Sequence, residues 1–200
     1  MFDFNDAPEQ RSGFSGELIP EGTIAVVVAS LRPGGHGPEG ILKASSTGAD
    51  MLDFEFTIQG GDYDRRKIWN LYVVNGVTEG HEKAANISKA ALRAMLEASR
   101  NIQPSDTSPT AMEARKVSGY KDFDGLTFPI EIGEETGNLK DKTAGPNSER
   151  WPAKNVIRSI VTPDKPEYTS AGGGSSIKGS ASAPSKPAAQ ASAAKPSWAQ

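Results

Sequence analysis

Arg65, Arg66 and Lys67 run directly into Trp69 and Tyr72 in the stretch 62–75, DYDRRKIWNLYVVN. Cations beside exposed rings can grip a single nucleic-acid strand: the cations track phosphates and the rings stack on bases, at about 1–3 kcal/mol per base. Arg32 and Lys43 bracket a Gly-rich segment, PGGHGPEG at 33–40, and would add two more phosphate contacts. The plain alternative is a hairpin whose cations keep a strand end soluble and whose amphipathic rings sit on a surface with no ligand. Trp69 and Tyr72 fall on opposite faces of one strand, so one of them points outward. Leu71 and Val73 accompany Trp69, which favours Trp69 inward and Tyr72 outward beside Asn70, with the stacking role left to the pair.

No covalent chemistry is legible. The segment 33–40 lacks the GxxxxGK[ST] spacing of a phosphate loop and no helix follows it. The chain has no cysteine, and its two histidines, His36 and His81, lie far apart in unlike contexts, so neither a thiolate site nor a His-based metal site is expected. Asp62, Asp64, Glu131, Glu134 and Glu135 are the acids a metal-dependent nuclease could recruit, but they read as turn and loop residues. No catalytic residue, metal or cofactor is therefore assigned, and the chain reads as a non-enzyme.

The elements that would hold the cations and rings can be traced. Leu52, Phe54, Phe56 and Ile58 alternate with Asp53, Glu55, Thr57 and Gln59, the period of a half-buried strand. Phe54 and Phe56 share the apolar face and are expected in the core. Gly60-Gly61 and Asp62 to Asp64 make a turn into a second strand at 68–74. Upstream, TIAVVVASLR at 23–32 is a strand apolar on both faces, and 41–44 reads as a short edge strand. Residues 81–100 read as the one clear helix, with Ile87, Ala91, Met95 and Ala98 on its buried face. A strand at 126–132, placed at an edge by Pro129, and a last strand at 155–162 complete the order. Phe2, Phe4 and Phe14 are expected to pin the lead-in.

With the short edge strand set aside, the resulting order is three strands, a helix and two strands. It predicts a mainly β domain over 1–165: a five-stranded, OB-fold-like Greek-key barrel with its helix between strands three and four. From residue 166 the chain turns to Ala, Ser, Gly, Pro and Lys, a composition expected to be a disordered tail over 166–200. The net charge of −3 divides unevenly, because Lys178, Lys186 and Lys195 face only Glu167 in the tail, leaving −5 on the body. An acidic body counts against strong non-specific duplex binding. No apolar run approaches the ~20 residues of a membrane span, and the acidic start MFDFNDAPEQ is unlike a signal peptide. The chain reads as soluble and cytoplasmic, without a membrane partner.

Several spaced segments carry a resemblance: LIPEGT at 18–23, DFEFTIQGGDYDRRKIW at 53–69, Ser88 to Ala98 with Ile102-Gln103-Pro104, and GLTF at 125–128 with Glu131-Ile132-Gly133. Over roughly Phe4 to Tyr168 the chain resembles a family of uncharacterised phage and prophage proteins, encoded near replication and recombination genes and thought to be single-stranded DNA-binding proteins with an OB-fold. The resemblance implies single-stranded DNA as partner and the bacterial host cytoplasm as location. It also leaves room for phage or host replication and recombination proteins held by the tail, where Trp198 is either an anchor or an idle end, and for a homo-oligomer. The alternatives are a protein-interaction or assembly module without DNA, and a metal-dependent nuclease accessory.

Overall fold

A computed structural model describes residues 17–37, 39–140 and 148–170. The aromatic pins at Phe2, Phe4 and Phe14, the tail from 171 onward and Trp198 lie outside the described residues. The chain forms β1 (Ile24–Arg32), β2 (Lys43–Ala44), β3 (Asp50–Ile58), β4 (Lys67–Asn75), α1 (Glu79–Ser99), α2 (Pro109–Glu113), a 3-10 turn at Tyr120–Phe123, β5 (Thr127–Glu135) and β6 (Lys154–Ile160).

The six strands make one antiparallel sheet in which β2–β3–β1–β5–β6 are joined in that order and β4 also pairs with β3. β3 is the shared strand. Its residues Asp53 to Thr57 pair with β1 and with β4, and so use both edges. β2 pairs with Met51 and Asp50, beyond the point where β1 leaves that edge. The mainly β class, the antiparallel sheet and the single main helix are as expected. The count of five strands is corrected to six, because the two residues of β2 make their own ladder. The sheet is open: no ladder joins β4 to β6 among the described residues, although their Cα atoms come within 8 Å.

The inner face follows from period two. Leu52, Phe54, Phe56 and Ile58 on β3 meet Ile68 and Tyr72 on β4, Val27 and Ala29 on β1, and Phe128, Ile130 and Ile132 on β5. The ring of Phe54 stacks on Phe56 at 5.6 Å and meets Tyr72 edge-on at 5.7 Å, while Phe56 meets Phe128 edge-on at 6.1 Å. Such offset and edge contacts add to what the buried area alone supplies.

α1 covers this inner face. Thr78 caps it, its hydroxyl accepting from the His81 amide at 3.2 Å, and Glu79 and Glu82 sit in the first turn, where the helix dipole favours negative charge. The buried residues are Ala85, Ser88, Leu92, Met95, Leu96 and Ala98, together with one charged side chain, Glu97. The face expected from sequence included Ile87, which is 74% exposed. The packed stripe is centred one position away, on Ser88, so Ile87 is rotated about 100° off it.

Pro129 was expected on an edge strand, yet β5 lies between β1 and β6 and Pro129 is fully buried. The Val26 carbonyl, opposite Pro129, accepts from Gln59 on the other side of β1, so it asks nothing of the proline. Pro129 lacks an N–H on the side of β6, and β6 ends there: only the Pro129 carbonyl is used, by the Val161 amide at 3.0 Å.

Candidate functional site

The face of β3 and β4 turned away from the core gathers the residues that can meet a polymer. On β3 it carries Met51, Asp53, Glu55 and Thr57. The register sets these opposite Val73, Leu71, Trp69 and Lys67 on β4. On the other flank Arg32 stands opposite Asp53, Ser30 opposite Glu55, and Lys43 opposite Met51. Trp69 is 52% and Leu71 46% exposed, two neighbouring apolar side chains on one strand surface.

Two carboxylates organise the charges. Glu55 accepts from the Lys67 ammonium at 2.6 Å on one oxygen and from the Trp69 indole N–H at 3.1 Å on the other. The Lys67 hydrogen bond is the main reason its carboxyl lies below the usual carboxylate range; desolvation works against this and the indole N–H assists it. Asp53 accepts from Lys43 at 3.0 Å, and the Arg32 guanidinium stands 3.8 Å from its other oxygen. Each of these cations remains about half exposed.

The structure thus brings together Arg32, Lys43, Lys67 and Trp69, and separates the remaining candidates from them. The outward reading of Tyr72 and the inward reading of Trp69 are both reversed. Tyr72 is 6% exposed, pairs with Leu52 and lies edge-on to Phe54, so it offers no ring to a ligand. Arg65 sits at the turn in a left-handed conformation (φ 63°) with its side chain 90% exposed, 3.4 Å from Asp64. Arg66 turns the other way: it donates to the Glu17 carbonyl at 2.7 Å and lies 5.6 Å over the Tyr63 ring. The three consecutive cations do not form one patch, because one is on the strand face and two belong to the turn.

Sequence reasoning missed Leu71 as a surface residue and Asp53 and Glu55 as the partners of the cations. It also passed over Trp151, 59% exposed beside β6, whose ring has the Lys140 ammonium 5.5 Å above it. The acids weighed for a nuclease do not converge. Asp64 accepts from the Gly60 amide at 2.6 Å, Glu131 accepts from Ser159 at 2.9 Å, and Glu135 pairs with Lys154 at 3.1 Å. Among the described residues no three His, Asp or Glu side chains are placed to hold a metal ion, and no helix is long and apolar enough to cross a membrane.

Burial pushes the Tyr72 phenol above its ordinary value, and the Tyr168 phenol likewise. The folded state favours the neutral phenol. Its contribution to stability is therefore complete below the unfolded phenol value of about 10 and is lost as pH rises above that. Phenolate absorbance is expected to show a late phase that coincides with loss of structure in alkali, and Tyr72→Phe should reduce it. A Tyr72 titrating freely while the sheet stays folded would contradict the burial.

Comparison with family models, with curated proteins and with solved structures returns no match for this chain.

Proposed function

We propose that this protein is a non-enzymatic single-stranded DNA-binding protein of phage or prophage replication or recombination, working in the cytoplasm of the bacterial host. In this reading the sheet is an OB-fold-like Greek-key barrel. Support comes from the connectivity. The five long strands run β4–β3–β1–β5–β6, the helix falls between the third and fourth of them in the chain, and β4 approaches β6. In an OB-fold the face of the second and third strands takes oligonucleotides, and those strands here are β3 and β4.

The observation that carries the reading is Trp69, half exposed on that face next to Leu71, with Lys67, Arg32 and Lys43 around it. Bases stack on Trp69 and Leu71 while the cations exchange carboxylate for phosphate. Tyr72, Arg65 and Arg66 drop out of the binding set.

Titration of oligo-dT and of a duplex of equal length at low salt tests the reading. Binding of oligo-dT with quenching of tryptophan fluorescence is expected; failure to bind it would remove DNA from the assignment and favour the assembly module. The salt dependence is a second check. Each single-strand phosphate contact adds about 0.7 to the slope of log affinity against log salt, so changing Arg32, Lys43 and Lys67 together to Ala should shallow it by up to about 2. An unchanged slope would move the phosphate path elsewhere.

A further inference from the structure

The same face carries its two carboxylates on the middle strand. Asp53 and Glu55 lie on β3, with Arg32 and Lys43 on the β1/β2 flank and Trp69 and Leu71 on the β4 flank. The two flanks are therefore two strand spacings apart, about 10 Å. One flank has cations for a phosphate row. The other has a ring and an aliphatic side chain, with Lys67 only at its end.

From this arrangement we infer that Asp53 and Glu55 are specificity-determining residues that exclude duplex DNA, an inference that rests on the single-strand reading above. A single strand can lay its phosphates along Arg32 and Lys43 and swing its bases across β3 onto Trp69. The groups passing over the carboxylates are then neutral rings. A duplex cannot unstack its bases at the same cost, and its second phosphate row falls on the acidic strand and the apolar flank. Like charges meet there, and the nearest cations are already engaged, Lys43 and Arg32 with Asp53 and Lys67 with Glu55. The acids thus do two things: they repel a second backbone, and they hold the cations so that a phosphate must displace a carboxylate to reach them. The second effect weakens both ligands alike. The first applies only to the duplex, and so sets the preference.

The test uses the full chain, with fluorescence anisotropy of labelled oligo-dT and of a duplex of the same length in the same low-salt buffer. The double variant Asp53→Asn with Glu55→Gln keeps the shapes and removes the charges. Duplex affinity is expected to rise about tenfold, the scale of one or two unit charges removed near a phosphate in water, and oligo-dT affinity to rise by less, so that the preference for single strands narrows. Asp53 is nearly covered, so Glu55→Gln alone is the companion variant, with a smaller narrowing expected; a thermal melt of each establishes that it is folded. If the wild type binds oligo-dT but the variants strengthen both ligands equally, or neither, the inference is overturned and the single-strand reading stands. If no form binds oligo-dT, both fall.

Discussion

Replacing Trp69 with alanine is expected to weaken binding of oligo-dT by about tenfold to a hundredfold, the range set by ~1–3 kcal/mol for a base stacked on an aromatic ring. The size follows from position. Trp69 is half exposed on the outer face of β4, and its indole N–H is already directed to Glu55, so the ring is held with one face available before any ligand arrives. A ring held in advance loses little entropy on binding. Removing it leaves Glu55 bonded to Lys67, and no core contact is lost, so stability should change by no more than about 0.5 kcal/mol. Trp69→Phe separates the two roles of the indole. It keeps a stacking surface and removes the N–H, and should recover most of the affinity. An alanine variant with wild-type affinity would mean that the bases lie elsewhere, with Trp151 the next ring to examine.

The two strands that carry this face were legible as strands, while the side each ring takes was not. Alternation of Leu52, Phe54, Phe56 and Ile58 fixes the inner face of β3 by itself, since no polar residue interrupts it. β4 has no such clarity. Trp69, Leu71 and Val73 form one apolar set and Ile68, Asn70, Tyr72 and Val74 the other, and the set containing an amide is the one turned to the core. The turn decides between them. Gly60, Gly61 and Arg65 all adopt positive φ, and the Ile58–Arg66 backbone pair closes the turn so that Phe56 faces Ile68. A slip of one residue would exchange every inner and outer side chain of β4. The length of that turn is read in space, through hydrogen bonds that composition does not encode.

A second kind of information was absent for a related reason. The cations Arg32 and Lys43 were visible as candidates, but their carboxylate partner Asp53 reaches them across strand pairings set by the folded sheet. From sequence, Asp53 and Glu55 appear only as the polar half of an alternation, a feature that would repel phosphate. Folded, they are the groups that arrange every cation of the face. Local pattern therefore sufficed for the inner face of β3 and the mainly β class, and failed for the faces of β4 and α1 and wherever the site depends on which strands are neighbours.

The largest expected loss of stability outside the aromatic core comes from Glu97→Ala. Glu97 is 3% exposed within α1, and one of its carboxylate oxygens accepts from Arg93 at 2.8 Å and from Arg115 at 2.7 Å. Arg115 also donates to the carbonyls of Asp106 at 2.7 Å and Gln103 at 2.9 Å, which ties the segment after α1 to the residues that follow α2. Deleting one member of a buried ion pair costs about 3–5 kcal/mol, because the remaining charge is left without its counterion. The lower end, about 3 kcal/mol, is expected here: Arg93 is half exposed and can turn to water, and Arg115 keeps its carbonyl acceptors. Urea unfolding of Glu97→Ala, Arg115→Ala and the double variant measures this directly. The losses should be far from additive, since the second substitution removes the charge that the first left stranded. Additive losses would mean that Glu97 and Arg115 act as separate packing residues. None of these side chains lies on the outer face of β3 and β4, so each folded variant should bind oligo-dT as the wild type does; a parallel loss of affinity would show that α1 sets the geometry of that face from behind.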